Sequence, residues 1–314
     1  MRTLQTDLLG TTKFVHREVR KEDVTVVVPV LNEVEAIRTV IQEIRQCGFR
    51  KILVIDGHST DGTVDAATRL GVDVIEQTGT GKTGALATAV QYVVTPFFLV
   101  MDGDCTYDPR DIERLLEHAG AYDEVIGARK TGTENIPTIN RFGNRVICWV
   151  FKVLFAAYLS DVCSGMYLLN TGSARLLQFT TGGFDVEVEI ASQIADRGRV
   201  TDVPISYRKR VGRQKLSSLR HGLIILTSII RLANVNNPVV LYSGFMALSI
   251  IPALAILAWV AYDALMLGRW HAGYALFGMM LLVLALQALA VAMISLMIKR
   301  SEQRISRIMK EKFG

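Results

Sequence analysis

Two aspartates that directly follow an apolar run are the strongest chemical signal in the chain. Asp102 and Asp104, separated by Gly103, come after the apolar residues 97–101. A short, aromatic-rich run of this kind is typical of a buried strand in a parallel sheet, and open α/β sheets bind ligands beyond the carboxyl ends of their strands. Carboxylates are hard oxygen ligands that suit Mg²⁺ or Mn²⁺, usually together with substrate phosphates. The pair therefore predicts a metal-assisted phosphate site, although two solvated turn carboxylates would have the same sequence.

A carboxylate and a lysine elsewhere could serve the same site. Asp56 ends a second apolar run, where it is a good acceptor for a base or a ribose hydroxyl. Lys82 lies in the glycine-rich segment 79–84, between a strand and a helix, where a cation near a helix N-terminus can meet phosphate. The GxGxxG spacing of this segment is misleading, because a dinucleotide fingerprint belongs in the first βα turn, and that turn (29–33) has no glycine. A P-loop would need glycine where Glu76 stands.

Alternating strand and helix patterns should position these residues. Short apolar runs predict strands over Val24–Val30, Lys51–Ile55, Val72–Glu76, the run before the Asp-x-Asp motif, and Glu124–Ala128. Helical periodicity predicts helices over Glu33–Gln46, from Asp61, and over Gly84–Val94. Such alternation is typical of an α/β fold with a mostly parallel sheet covered by helices on both faces.

The C-terminal part of the chain is strongly apolar. Val239–Tyr262 and Gly273–Ile298 contain no charged residue, and each is longer than the roughly 20 apolar residues that span a bilayer. Two buried core helices would explain the same pattern, but they would need a larger surrounding domain than the rest of the chain can supply. The two segments therefore predict a pair of transmembrane helices.

The formal charge of +5 is concentrated beside these apolar segments. Basic residues cluster over 199–220 and again over 299–312, so the positive-inside rule places the α/β domain and the C-terminus together on the cytoplasmic side. Anionic lipid is a better partner for such charges than nucleic acid, and no nucleic-acid partner is expected. The sequence thus divides into an N-terminal arm (1–23), an α/β domain (24–215), an interfacial amphipathic helix (216–237), two membrane helices (238–298) and a basic cytoplasmic tail (299–314).

A further helical segment, Ile139–Tyr158, has two interpretations. Its basic residues Arg141, Arg145 and Lys152 fall within about 40° of one another at helical spacing. They are either the polar side of an ordinary amphipathic helix packed on the sheet or a stripe that holds a lipid phosphate at the membrane surface. The sequence alone leaves both interpretations open.

Several short motifs occur in a familiar order. They are Val28-Pro29-Val-Leu-Asn32-Glu33, Ile55-Asp56, Ser59-x-Asp61-Gly62-Thr63, Gly81-Lys82-x-Gly84-Ala85, Asp102-Gly-Asp104, Gly127-Ala-Arg129, Ser164-Gly165 and the basic run from Arg208 to Lys215. Together they resemble family 2 inverting glycosyltransferases of the GT-A fold, which has a Rossmann-like, mostly parallel sheet. Within that family the chain is similar to the dolichyl-phosphate mannosyltransferase and polyprenyl-phosphate hexosyltransferase branch.

The resemblance implies roles for individual residues. It implies nucleotide contacts for Pro29, Leu31, Glu33, Ile55, Asp56, Lys82, Asp102 and Gly103. It implies metal binding by Asp102 and Asp104, catalytic roles for Asp104, Arg129 and Arg141, and acceptor-phosphate contacts for Arg145, Ser164, Arg208, Arg210 and Lys215. The chain departs from the family pattern at Thr106, where glutamine is common, and at Met166-Tyr167, which replace phenylalanine and arginine.

The resemblance also implies an activity. The expected reaction moves one hexose, with inversion, from a nucleotide-sugar to dolichyl or polyprenyl phosphate, with Mg²⁺ or Mn²⁺ as cofactor. GDP-mannose is the favoured donor and UDP-glucose the second choice. The chemistry is reasonable because a phosphomonoester, with a second pKa of about 6, is already a nucleophilic anion near neutrality. A catalytically silent membrane scaffold that keeps a nucleotide-binding domain is the alternative from another class.

Overall fold

The computed structural model describes residues 4–6, 12–14, 19–179, 186–211, 227, 229–231, 233–234 and 238–313. The chain divides into two compact units, Met1–Ile229 and Ile230–Gly314. Lys215 and most of the predicted interfacial helix at 216–237 lie outside the described residues.

The first unit is built on a mixed sheet. A short antiparallel pair, β1 (Leu4–Thr6) and β2 (Thr12–Phe14), precedes it in the chain. The main strands are β3 (Val24–Val30), β4 (Ile52–Asp56), β5 (Asp73–Glu76), β6 (Phe97–Val100), β7 (Glu124–Thr131), β8 (Tyr167–Asn170) and β9 (Val200–Ser206). Among the described residues they form a seven-stranded sheet in the order β5-β4-β3-β6-β8-β7-β9. Strand β8 runs antiparallel to both of its neighbours, and the remaining pairs are parallel.

Helices cover both faces of this sheet. They are α1 (Val34–Gln46), α2 (Thr63–Thr68), α3 (Gly81–Tyr92), α4 (Ile112–Ala119), α5 (Thr138–Phe155), α6 (Thr171–Ala174) and α7 (Val186–Arg197). Ile37 and Ile41 of α1 share a buried cluster with Val26 and Val28 of β3, whereas α3 packs against β3 and β4. Successive strand side chains point to opposite faces, so the buried Val27 belongs to the other face. Burial on both faces explains why these strands are continuous apolar runs.

The strand register brings the chemically interesting residues to one edge. Val30 pairs with Asp56, and Val27 pairs with Val100, so the residues just after Val100 lie level with the end of β3. The Asp-x-Asp motif and Asp56 therefore meet at the carboxyl edge of the sheet. This is the edge at which a ligand of an open α/β sheet binds.

The predicted α/β architecture is confirmed, with differences at three elements. The helix predicted from Gly84 begins at Gly81, which places Lys82 in the first turn of α3 and not in the preceding loop. Strands β8 and β9 were not predicted from the sequence. The antiparallel β8 is only four residues long, too short for its apolar pattern to be distinguished from that of a loop.

The second unit contains two long helices, α8 (Pro238–Leu267) and α9 (Ala272–Phe313). Pro238–Leu267 and Ala272–Ile298 have mean hydropathies of 2.2 and 2.6, and 11 % of the most apolar window in each is buried within the chain. By length and composition both could cross a membrane. A core helix of a soluble protein would be mostly buried, so this exposure disfavours the core-helix alternative. The backbone of α9 continues through most of the predicted tail at 299–314.

Candidate active site

A cavity of about 210 Å³ opens at the carboxyl edge of the sheet, within the first unit. Eight of the residues predicted to bind nucleotide, metal or phosphate line it: Pro29, Leu31, Glu33, Lys82, Asp102, Gly103, Asp104 and Arg210. Val30, Gly57, Gln77, Gly81 and Ala85 complete the lining in the described part of the chain. The predicted motifs, which are scattered over some 180 residues of sequence, therefore share one cleft.

Two glycines allow the Asp-x-Asp turn to pack closely. A Cβ on Gly103 would lie 2.7 Å from Val30 Cγ1, so the turn can approach the end of β3 only with glycine at this position. A Cβ on Gly165 would overlap the Asp102 carboxylate oxygen Oδ2. The Gly165 amide donates to the Tyr107 hydroxyl at 2.7 Å, which fixes the backbone against Asp102.

Lys82 is held between two carboxylates. Its Nζ lies 2.6 Å from Asp102 Oδ1 and 2.6 Å from Glu187 Oε1, and its side chain is only 12 % exposed. Burial alone would lower the pKa of the Lys82 ammonium, but the charges of Asp102 and Glu187 outweigh it and keep that pKa well above its ordinary value. Lys82 is therefore a permanent cation at the cavity wall.

Arg210 makes a corresponding contact on the other aspartate. Its guanidinium lies 2.6 Å from Glu33 Oε1 and 3.0 Å from Asp104 Oδ2. The second oxygen of Asp104 accepts from the Thr106 hydroxyl and amide at 2.5 Å and 3.1 Å. Burial and the nearby charge of Asp102 raise the pKa of the Asp104 carboxyl above its ordinary value. Each aspartate of the motif thus shares a protein cation with a second carboxylate.

The start of the basic loop is fastened to the Asp-x-Asp turn. The Arg208 amide donates to the Thr106 carbonyl at 2.7 Å, and the Val211 amide donates to the Asp104 carbonyl at 3.0 Å. The Arg208 guanidinium pairs with Glu43 at 2.7 Å and Asp108 at 2.6 Å. Arg208 therefore anchors the loop on the side of α1, whereas Arg210 points into the cavity.

Asp56 is buried at the end of β4. Its Oδ2 accepts from the Ser59 amide at 2.9 Å, and its Oδ1 has no hydrogen-bond partner among the described residues. The neighbouring Gly57 and Gln77 line the cavity. A buried acceptor without a partner is costly. Asp56 itself does not line the cavity, so its contact with a base or ribose stays a prediction. Ile55, predicted beside it, is fully buried in the sheet and is paired with Pro29.

Arg129 is engaged in an internal ion pair. It contacts Asp161 in bidentate fashion at 2.6 Å and 2.7 Å, and its guanidinium lies 5.4 Å from the centre of the Tyr207 ring. Burial opposes its charge, but Tyr107, the adjacent Asp161 carboxylate and Tyr207 together raise the pKa of Arg129 well above its ordinary value. Its role at the sugar or acceptor phosphate stays a prediction.

The remaining predicted acceptor residues lie elsewhere. Ser164 is fully buried, and its Oγ accepts from the Met166 amide at 3.4 Å. Arg141 and Arg145 lie on α5, where Arg141 contacts the Thr138 hydroxyl at 3.2 Å and Arg145 is exposed. None of the three lines the described cavity, so their acceptor roles also stay predictions.

Glu187 could be interpreted from the sequence either as a residue on the acceptor side or as one that caps a helix, and no role was predicted for Gln77 or Tyr107. A signal for Glu187 was present: in Val186-Glu-Val-Glu-Ile190 two acidic residues interrupt an apolar run at the start of a helix. An acidic residue buried in such a run usually needs a cationic partner. Gln77 and Tyr107 carry no comparable signal, since a polar residue after a strand is common.

The site fits a divalent cation that is shared with a bound phosphate. Among the described residues no group of three or more His, Cys, Asp or Glu side chains could hold a metal by itself. Asp102 contacts Lys82 and Asp104 contacts Arg210, so the carboxylate oxygens of both residues already interact with positive charge, as they would with a metal ion. Mg²⁺ is commonly held by one or two carboxylates plus substrate phosphates, and that arrangement suits this pair.

The fold and the cleft define a GT-A type glycosyltransferase domain. Residues 25–165 match the family model described as glycosyl transferase family 2. The chain is 32 % identical over 293 residues to the glycosyltransferase AglJ of Haloferax volcanii, covering 91 % of this chain and 97 % of that protein. It is 32 % identical over 217 residues to the dolichyl-phosphate hexose transferase of the same organism, covering 67 % and 93 %.

A solved structure agrees with the fold. Glucosyl-3-phosphoglycerate synthase from Mycobacterium tuberculosis, crystallised with Mn²⁺, UDP and glucosyl-3-phosphoglycerate, matches with a TM-score of 0.55 at 19 % identity, over 67 % of this chain and 80 % of that one. At this identity the match supports the fold alone. The two Haloferax relatives carry the family assignment: the chain belongs to glycosyl transferase family 2 and is a glycosyltransferase.

Proposed function

We propose that the chain transfers one hexose, with inversion, from a nucleotide-sugar to dolichyl or polyprenyl phosphate, with GDP-mannose as the donor in preference to UDP-glucose. The observation that carries this proposal is the cleft in which Asp102 and Asp104 meet Lys82 and Arg210. A nucleoside diphosphate leaving group needs both a cation and fixed positive side chains. The dolichyl-phosphate hexose transferase among the relatives supports the lipid acceptor.

The residues of the cleft would contact different parts of the donor. Asp56, with its free Oδ1, would accept from the base or ribose, and Lys82 and Arg210 would contact the diphosphate. Mg²⁺ or Mn²⁺ bound by Asp102 and Asp104 would supply further stabilisation of the charge that develops on the leaving diphosphate. Because Lys82 is held in place by Asp102 and Glu187 before the donor binds, this cation needs little reorganisation during transfer.

The acceptor phosphate makes a general base unnecessary. Its oxygen, already anionic near neutrality, attacks the anomeric carbon as the bond from that carbon to the diphosphate oxygen breaks. Attack from the opposite side inverts the anomeric centre, and the nucleoside diphosphate departs. The acceptor side instead needs cations that hold a phosphate, and we assign Arg129, Arg141, Arg145 and Lys215 to this task.

Helix α5 supports a membrane-bound acceptor. One side packs inside the domain through Ile147, Phe151 and Leu154, so part of the amphipathic-helix interpretation holds. Another side exposes a stripe of large apolar residues three or four positions apart: Ile139, Phe142, Val146, Trp149 and Val153. Apolar residues beside a basic row are typical of a helix that lies in a lipid interface. We propose that this stripe faces the headgroup region, with Arg141 and Arg145 near the lipid phosphate.

The two apolar helices of the second unit would anchor the enzyme. Their length and hydropathy suit a membrane-spanning pair. The basic residues at 199–220 and 299–312 support placing the catalytic domain and the C-terminus on the cytoplasmic face. Nucleotide-sugar and the anionic lipid headgroup would then be available on the same side.

Transfer by the purified full chain tests the proposal. The protein in detergent is incubated with Mn²⁺, polyprenyl phosphate and either GDP-mannose or UDP-glucose, and glycolipid is measured by mass spectrometry. We expect a singly glycosylated lipid phosphate with GDP-mannose. Release of nucleoside diphosphate without glycolipid would contradict the lipid acceptor, and a silent scaffold would release neither product.

A thermal-shift panel identifies the donor independently of the acceptor. GDP-mannose, UDP-glucose and UDP-GlcNAc are compared in the presence of Mn²⁺, since a ligand that binds only the folded protein raises its unfolding temperature. The largest shift is expected for GDP-mannose. A larger shift with UDP-glucose would reassign the donor and leave the lipid acceptor unaffected.

A further inference from the structure

Among the described side chains, only Lys82 forms ion pairs with both the Asp-x-Asp motif and helix α7. Its Nζ lies at 2.6 Å from both Asp102 Oδ1 and Glu187 Oε1. Lys82 and Asp102 line the cavity, whereas the Glu187 side chain is 9 % exposed and sits in the first turn of α7. Glu187 therefore contacts the Lys82 ammonium from the buried side, away from the cavity.

The charge balance of these three groups depends on Glu187. With only Lys82 beside it, the Asp102 carboxylate would be neutralised by an ammonium in contact with it. With Glu187 on the other side, the three groups carry one net negative charge. Electrostatic interactions among buried groups are stronger than in water, so this one charge matters for any cation that Asp102 is to bind.

We propose that Glu187 is a positioning residue that holds Lys82 between two carboxylates and so keeps Asp102 able to bind a divalent cation. The inference rests on the metal role proposed for Asp102 and Asp104. Groups in direct contact with a metal ligand typically change metal affinity by 10–100-fold when they are removed. Glu187 would act through one such group, Lys82, without touching the substrate or the metal.

Substitutions at Lys82 and Glu187 change the net charge of the three groups one unit at a time. The net charge of the three groups is −1 in the wild type, 0 in Glu187→Gln, −2 in Lys82→Gln and −1 again in the double variant. We expect Mn²⁺ affinity to follow this order. Glu187→Gln should bind Mn²⁺ about 10–100-fold more weakly, Lys82→Gln more tightly, and the double variant within a few-fold of the wild type.

The measurement is Mn²⁺ binding to the full chain in detergent, from the electron paramagnetic resonance signal of free Mn²⁺, without donor or acceptor. Because it needs no turnover, it separates metal binding from catalysis. A merely structural role for Glu187 would weaken binding in both single variants and most of all in the double variant. Only the charge balance predicts opposite changes of Mn²⁺ affinity in the two single variants and recovery of that affinity in the double variant.

Glu124 offers a matched control. It is also buried, and burial together with the charge of Glu187 raises the pKa of its carboxyl well above the ordinary value. Among the described residues it makes no ion pair with Lys82, so Glu124→Gln removes a buried carboxyl outside the three-group cluster. This variant should bind Mn²⁺ like the wild type, whereas Glu187→Gln should not.

A donor measurement completes the test. The double variant should regain Mn²⁺ affinity but keep a raised KM for the nucleotide-sugar, because the Lys82 cation that would contact the diphosphate is missing.

Wild-type Mn²⁺ affinity in Glu187→Gln, or changes of the same sign in both single variants, would overturn the inference. If Asp104→Asn also binds Mn²⁺ like the wild type, the proposed metal site itself is wrong. Loss of binding in Asp104→Asn with none in Glu187→Gln would overturn only the role of Glu187.

Discussion

The two sides of the Asp-x-Asp motif are built alike but differ in burial. On one side Asp102 shares Lys82 with Glu187, and on the other Asp104 shares Arg210 with Glu33. The Lys82 side chain is 12 % exposed, and it joins the first turns of two helices. The Arg210 side chain is 28 % exposed and belongs to a loop that follows β9.

This difference separates a fixed cation from an exchangeable one. A cation buried among its partners is costly to remove, whereas a cation that water reaches is more readily exchanged for water or a ligand. Lys82 is thus suited to stay in place while the donor binds. Arg210 is suited to leave Asp104 and contact the incoming diphosphate, and the following predictions test this division.

The largest effect is expected for removal of the metal-binding carboxylate on the Arg210 side. Asp104→Ala should lower glycolipid formation by about 1,000-fold or more, because it removes several kcal/mol of charge stabilisation at the leaving group. Turnover in detergent measures the loss, and the unfolding temperature serves as the control for folding. Full activity in this variant would remove the metal assignment.

A large effect is also expected from Gly165→Ala, which changes no charge. The added methyl group would overlap Asp102 Oδ2 and displace that carboxylate from Lys82. Mn²⁺ affinity and transfer should both fall by about 10–100-fold, the range seen when a metal ligand loses its orientation. Gly143→Ala is the matched control, since a Cβ there meets no atom within 4 Å. Equal behaviour of the two variants would show that Asp102 tolerates the displacement.

Removing each cation alone should distinguish the two sides by stability. Lys82→Met removes a cation that is 12 % exposed and leaves the buried Glu187 facing Asp102, which is 32 % exposed, so a loss of about 3–5 kcal/mol is expected. Arg210→Met removes a cation that is 28 % exposed and leaves Glu33 and Asp104, each 9 % exposed; because water can take the place of the guanidinium, a smaller loss of about 1–3 kcal/mol is expected. Thermal unfolding of the full chain in detergent compares them. A larger loss at Arg210 would reverse the assignment of fixed and exchangeable cations.

The smallest effect concerns the exposed stripe of α5. Replacing Phe142 and Trp149 by serine should raise KM for a long-chain polyprenyl phosphate several-fold, because about 25 cal/mol per Å² of apolar contact is lost. KM for the nucleotide-sugar should not change. The exposed Leu176, outside α5, provides the control as Leu176→Ser. An equal rise in donor KM would show that the stripe serves the fold and not the lipid.

Much of the fold could be predicted because its strands are buried on both faces. Val24–Val30 has valine at five of its seven positions and forms β3 over the same residues. The antiparallel β8 could not be predicted, since its direction depends on pairing with β6 and β7, which are far away in sequence. The start of α3 was placed three residues late, because Gly81 and Lys82 have weak signals for a helix N-terminus.

The sequence by itself identified the candidate residues for binding metal and phosphate, because residue type, spacing and the ends of apolar runs are local properties. It also determined the two long apolar segments, whose composition needs no partner to be recognised. Only the tertiary structure decided which charges pair. The contacts of Lys82 with Asp102 and Glu187, and of Arg210 with Asp104 and Glu33, join residues 20 to 177 positions apart, and their geometry follows from how strands and helices pack around one edge of the sheet.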